Sequence, residues 1–185
     1  MNDYDRRRIY KSFLIDANRI NSSGRLEHMN TLERWHNNQI IRIMMAEPAQ
    51  YEAAHGSGNR AKKAYGYIFT MTKSQTPQEI ELLNSIERIL FPGGASTQNE
   101  KNDVEILFNA YKYKCILITN DGGSRRQPGG ILGTRDKLLS ELGIQVLTDE
   151  EAVTLIRQLI IERDSREREE SHITGQPLPE WLGSD

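Results

Sequence analysis

Residues 115–123, "CILITNDGG", decide the fold. Four apolar residues in a row, without polar alternation, suit a strand covered on both faces, as in a parallel sheet between helical layers. The run ends in Thr119, Asn120 and Asp121 and then two glycines, so a strand that reads as buried stops in an acid. In open parallel sheets ligands bind outside the carboxyl ends of the strands. Asp121 therefore occupies the expected address for chemistry, although Asn-Asp-Gly-Gly is also an ordinary turn sequence.

The stretch upstream, "NDVEILFNAYKYK", carries Val104, Leu107, Phe108 and Tyr111 at helical spacing, and Asp103 opens it. A second short apolar run, "FLID", also ends in an acid, Asp16. Between these two strands lie a helix around residues 26–37, a β-branched strand at 39–45 and a helix starting at "EPAQYEAAH". Residues 59–73, "NRAKKAYGYIFTMTK", are expected to be helical despite Gly66. Thr76 with Glu79 forms a capping box ahead of a helix striped by Ile80, Leu83, Ile86 and Leu90, while "ASTQNEK" reads as a polar loop. After 123 come a glycine-rich loop, a helix around "TRDKLLSELG", a short strand "IQVL" and a last helix capped by Thr148 with Glu151. Strands separated by helices pair in parallel through right-handed crossovers. The predicted fold is a three-layer α/β/α sandwich with a central parallel sheet of about four to five strands. Residues 1–161 read as one domain with a longer helical insertion at 59–98, and 162–185 as a charged, mobile tail.

If the strands ending in Asp16 and Asp121 are neighbours, the two carboxylates stand close together and repel, and one is forced to protonate. A bound Mg²⁺ or Mn²⁺ removes the conflict, because hard divalent cations take carboxylate oxygens and waters. Asp103 reaches the same edge from the start of its helix, where the helix N-terminus favours an acid. Glu52 lies in the helix after the strand at 39–45. Neutralising Asp121 is then expected to stabilise the metal-free protein by relieving repulsion.

With "FLIDAN", Glu52 in "PAQYEAA", and "NDVEILFNAYKYKCILITND", residues 11–148 resemble a PIN domain. That family's pattern is an Asp closing the first strand, a Glu on a later helix, an Asp opening a helix, and a Thr/Ser-x-Asp closing the next strand. The resemblance implies a metal-dependent endoribonuclease. Asp16, Glu52, Asp103 and Asp121 would be its catalytic and Mg²⁺/Mn²⁺-binding residues, with Glu47 competing for the place of Glu52. Thr119, Asn120 and Asn18 would support them. It further implies RNA as substrate, single-stranded by preference, an antitoxin or other protein partner, and a possible homodimer. Two departures stand out: a long interval between Glu52 and Asp103, and an extended glycine-rich loop after Asp121. Asp136 is either a displaced family acid or a helix N-terminal residue, and the second reading is favoured.

Arg125 and Arg126 sit in that loop and are expected to contact substrate phosphates. Arg60, Lys62 and Lys63 read as a solvated helix face. No Gly-Lys-Ser/Thr follows the glycines, so a Walker A loop is excluded. The haloacid-dehalogenase pattern wants a second acid where Asn18 stands. A non-catalytic RNA- or protein-binding module on the same scaffold is the alternative. Net charge of −2 argues against general nucleic-acid affinity, so any such contact must be local. The single cysteine, Cys115, permits no internal disulfide and suits a reducing, cytoplasmic setting. No apolar run approaches the ~20 residues of a membrane span.

Overall fold

A computed structural model describes residues 3–55, 58–71, 73, 76–123 and 128–185. In chain order these form α1 (Asp3–Arg7), β1 (Ser12–Ile15), a 3-10 turn (Ala17–Arg19), α2 (Glu27–Asn37), β2 (Arg42–Ala46), α3 (Glu47–Ala54), α4 (Gly58–Ala64) and β3 (Ile68–Thr70). There follow α5 (Pro77–Leu90), α6 (Gln98–Lys112), β4 (Cys115–Ile118), α7 (Gly130–Leu142), β5 (Val146–Leu147) and α8 (Asp149–Thr174).

The five strands form one parallel sheet in the order β3-β2-β1-β4-β5. This is the predicted three-layer sandwich: α2 packs on α8 in one outer layer, and α5 packs on α6 and α7 in the other. The continuous apolar reading of "CILI" follows from its position, since every residue of β4 is buried. The central strand β1 is as dry: Phe13, Leu14 and Ile15 are fully buried. Because β1 leads leftward to β2 while β4 lies on its other side, the strand order reverses at the β1–β4 seam. A crevice opens outside the carboxyl ends of the strands at such a point.

Three local readings are corrected. Residues 59–73 are not one helix: α4 ends at Ala64, and Ile68–Thr70 is an edge strand paired with β2. Gly66 favours a break, and Tyr67, Ile68, Phe69 and Thr70 are all strand formers. β2 begins at Arg42, because Gln39 takes a positive φ of 62° that ends the preceding turn. Helix α6 starts at Gln98, inside the stretch read as a loop, because Thr97 and Glu100 form a reciprocal capping box. Asp103 consequently sits in the second turn, without the benefit of a helix N-terminus.

Beyond residue 161, α8 runs unbroken to Thr174 and the chain folds back along it. Arg163, almost fully buried, binds Asp164 at 2.6 Å and Asp185 at 2.9 Å, and its guanidinium lies 4.6 Å from the centre of the Trp181 ring. Arg7 pairs with Asp185, and Arg6 with Glu167. Among the described residues no helix is long and apolar enough to cross a membrane.

The difference between centre and edge is measurable. Phe13→Ala, at a fully buried site of the central strand, should cost about 3–5 kcal/mol. Ile68→Ala, on the 61% exposed edge residue, should cost about 0.5 kcal/mol or less. Urea unfolding of the two variants checks both; comparable losses would contradict an edge position for β3.

Candidate functional site

The β1–β4 ladder runs to the last residue of each strand. Asp16 donates its backbone N–H to Ile118 O (3.0 Å) across the β1–β4 seam, while on the other side of β4 Thr119 donates its own to Leu147 O in β5 (3.1 Å). Asp16 and Thr119 are therefore lateral neighbours, and both are buried. The Thr119 hydroxyl donates to Asp16 Oδ2 at 2.8 Å. Asn18 closes the arrangement: its Nδ2 donates to Asp16 Oδ2 (2.5 Å) and Thr119 Oγ1 (3.1 Å), and its Oδ1 accepts from the Asn120 backbone N–H (3.1 Å). Arg19 donates to the Asn18 carbonyl and side-chain oxygens and pairs with Asp149 at the start of α8. Asn120 thus contributes its backbone to this network, and the side chains of Thr119 and Asn18 set the rotamer of Asp16.

Asp121 is held differently. Its Oδ2 accepts the Ile131 N–H at 2.8 Å, its Oδ1 accepts the Gly123 N–H at 3.1 Å, and its backbone carbonyl accepts from Leu132 at 3.2 Å. The carboxylate thereby meets two of the free donors around the start of α7, whose own preceding residue, Gly129, supplies no side-chain cap. Gly130 has a positive φ of 57°, and a Cβ there would collide with the Asp121 carboxylate and carbonyl. Gly130 is thus required by the acid nine residues earlier.

Asp16, Glu52, Asp103 and Asp121 all line one cavity of about 690 Å³ at the carboxyl edge of the sheet, with Ala17, Asn18, Arg60, Phe91, Thr97, Asn99 and Glu100. Glu52 accepts a 2.6 Å hydrogen bond from Asn102 Nδ2, and Asn102 in turn accepts from Gln98. Glu47 is exposed and not on the cavity wall. Asp136 is exposed in the middle of α7, not at a helix N-terminus as favoured from the sequence. Arg125 and Arg126 lie outside the described residues.

Electrostatics follow from this crowding. Burial, opposed by the hydrogen bonds from Thr119 and Ala17, pushes the Asp16 carboxyl up to about 6, with repulsion from Glu52 and Asp121 adding to the rise. Asp103 rises further, to about 8, through burial and repulsion from Asp16, Asp121, Glu52 and Glu100. Among the described residues its carboxylate has no hydrogen-bond or ion-pair partner, which explains why it carries the larger shift.

Among the described residues no three carboxylate, imidazole or thiol groups stand close enough to close directly on one ion. The donor chemistry nevertheless fits a hydrated hard cation. Among the described residues every anionic group on the wall is a carboxylate, no histidine or cysteine lines it, and Mg²⁺ characteristically keeps several waters. Each carboxylate oxygen that already accepts one hydrogen bond retains a lone pair.

Sequence reasoning missed three contributors. Asn102 carries no motif, being a buried amide beside the acid that drew attention. Arg60 reads from the sequence as part of a solvated face, yet it lines the cavity and its Nη2 donates to Ala17 O at 2.7 Å. Gly130 was legible as part of a glycine-rich loop, but its contact with Asp121 depends on the turn between them.

Neither a protein-family model nor a curated protein matches the sequence. Among solved structures the chain is similar to a crystal structure of VapBC2 from Rickettsia felis bound to a DNA fragment from their promoter. The identity is 13% and the TM-score 0.47, over 74% of this chain and 98% of that one. A likeness of that extent says nothing of activity or partners.

Stability against pH tests the acid cluster. In the folded state Asp16 and Asp103 keep their protons to a higher pH than ordinary aspartates, so the unfolded chain releases its protons first. Unfolding free energy of the metal-free protein should therefore fall as pH rises from the ordinary aspartate range to about 8, with the part above 6 carried by Asp103. Asp103→Asn should flatten that upper part and raise the melting temperature at pH 8; an unaltered pH profile would contradict it. The sequence expectation for Asp121→Asn reverses. An amide replacing a carboxylate that accepts two backbone N–H groups presents a donor to one of them, so this variant should lose about 1–3 kcal/mol in urea unfolding.

Proposed function

We propose that the chain is a Mg²⁺- or Mn²⁺-dependent nuclease of the PIN type, which hydrolyses phosphodiester bonds of RNA at the cavity outside β1 and β4. One observation carries the reading. Five carboxylates from four chain segments, Glu100 sharing α6 with Asp103, line a single cavity at the reversal point of the sheet, and two of them, Asp16 and Asp103, are held above the usual aspartate range. Stability alone gives no reason for such an arrangement, since like charges disfavour the compact state. Perturbed acids in a cleft mark functional sites more often than ordinary surface positions do.

Asp16, Asp103, Asp121 and Glu52 would hold the ion. When bound, Mg²⁺ or Mn²⁺ supplies positive charge against the developing phosphorane and an acidified water as nucleophile. The chain's own contribution is positioning. Thr119 and Asn18 fix the Asp16 carboxylate against the end of β4, and Asn102 fixes Glu52. The α7 donors fix Asp121. Only Asp103 is left without a partner among the described residues, so it is the acid free to turn toward a ligand. Below about pH 8 its carboxyl oxygen holds a proton that must leave before it can act as a negatively charged donor. RNA, rather than DNA, is the substrate that the family resemblance implies.

Purified protein should cleave single-stranded RNA when Mn²⁺ is supplied and fail to do so in a chelator. Asp16→Asn and Asp103→Asn should each reduce cleavage by at least about a hundredfold, the scale seen when an electrostatic stabiliser of the transition state is removed. Saturating Mn²⁺ should raise the melting temperature, corresponding to about 2.7 kcal/mol at a hundredfold excess over Kd. A protein with no metal-dependent shift and no cleavage of RNA or DNA would instead be a binding module on this scaffold.

A further inference from the structure

An acidic cavity repels the phosphodiester it is proposed to cleave, and bound cations answer that repulsion only at the reacting phosphate. The neighbouring phosphate needs a separate positive group. Among the described residues Arg60 is the one cation that lines the cavity. Its side chain is half-buried and, among the described residues, in no ion pair, although carboxylates surround the same space. Instead Nη2 donates to the carbonyl of Ala17, the residue directly after Asp16. One of its five N–H donors is thus spent on holding the side chain in place, and the rest remain for a ligand.

The helix that carries it is fixed at its far end as well. Lys63 Nζ donates to Asn21 O and to Glu33 Oε2, both at 2.7 Å, and the Ala64 carbonyl accepts from buried Gln50. The segment after Asp16 is therefore clamped by α4 through Arg60 at Ala17 and Lys63 at Asn21. The guanidinium is held beside the cavity before any substrate arrives, so little ordering remains to be done on binding.

Resting on the nuclease reading, we infer that Arg60 contacts a non-bridging oxygen pair of the phosphate next to the scissile one, and so sets where the strand lies across the acids. A planar guanidinium suits this task, since it matches phosphate oxygens in a two-pronged fashion that an ammonium does not.

The test is steady-state cleavage of a labelled single-stranded oligoribonucleotide with Mn²⁺ by full-length wild type, Arg60→Ala and Arg60→Lys, with melting curves of each. Arg60→Ala should raise KM on the order of tenfold with kcat changed by less than about threefold, as expected for loss of a charged hydrogen bond made equally in ground and transition states. The dependence of log KM on log salt should flatten by about 0.7, one phosphate contact on a single strand. The Mn²⁺-dependent rise in melting temperature should persist. Arg60→Lys can still donate to Ala17 O and should melt like wild type, yet recover KM only in part. If the role is merely to pin α4, Arg60→Ala loses stability while KM and its salt dependence stay within about twofold of wild type, or Arg60→Lys restores both fully; either result overturns the inference. A wild type that cleaves while Arg60→Ala matches it sinks this assignment and leaves the nuclease standing. A wild type that neither cleaves nor binds the oligonucleotide with Mn²⁺ present sinks both.

Discussion

Everything at the carboxyl edge depends on the pairing of β1 with β4. Their register sets Ile15 beside Ile118, so the next residues, Asp16 and Thr119, fall side by side. The hydroxyl of one then meets the carboxylate of the other at 2.8 Å. A slip of one residue would turn each side chain to the opposite face of the sheet and bury an apolar residue's place with an acid. Because both strands are covered on both faces, that slip is costly, and the register of the core becomes the register of the site.

The acids around Asp16 are stabilised unequally, and the inequality has a structural source. Asp121 meets one backbone donor at the start of α7 and one in its own loop, Asp16 meets a hydroxyl, an amide and its neighbour's N–H, and Glu52 meets Asn102. At Asp16 the bonds from Thr119 and Ala17 favour the charged form against its burial. Asp103 projects from the second turn of α6, beyond the reach of that helix's N-terminal donors, which Glu100 already occupies. Of the five carboxylates on the cavity wall, Asp103 alone has no anchoring partner among the described residues.

Strand-ending acids and the helix-to-strand spacing were legible because they depend on local sequence alone: an apolar run, a turn, a periodic helix. The sheet order could be argued from the alternation of elements, and five parallel strands are found. What escaped was governed by short signals or by tertiary placement. The Thr97–Glu100 box looks like the two that were recognised at Thr76 and Thr148, but no apolar stripe follows it closely enough to declare a helix. β3 has three residues, two of them exposed, so neither burial pattern nor length distinguishes it from a helical continuation. Arg60 and Lys63 look like any solvated pair on a short helix. Their acceptors, Ala17, Asn21 and Glu33, lie thirty or more residues away, and nothing local announces them.

The fold-back at the end of α8 has an optical consequence. The chain contains two tryptophans, and they occupy unlike surroundings. Trp35, on α2, is packed in the core, while Trp181 lies half-buried against the guanidinium of Arg163 on α8. A cationic neighbour in contact with an indole ring alters its emission, whereas an apolar surround shifts it to shorter wavelength. The protein therefore carries two separate intrinsic chromophores, one on the sheet's hydrophobic layer and one on the terminal clasp. Replacing either tryptophan by phenylalanine leaves a single-colour probe, with which release of the clasp and melting of the core can be timed against each other in the same molecule.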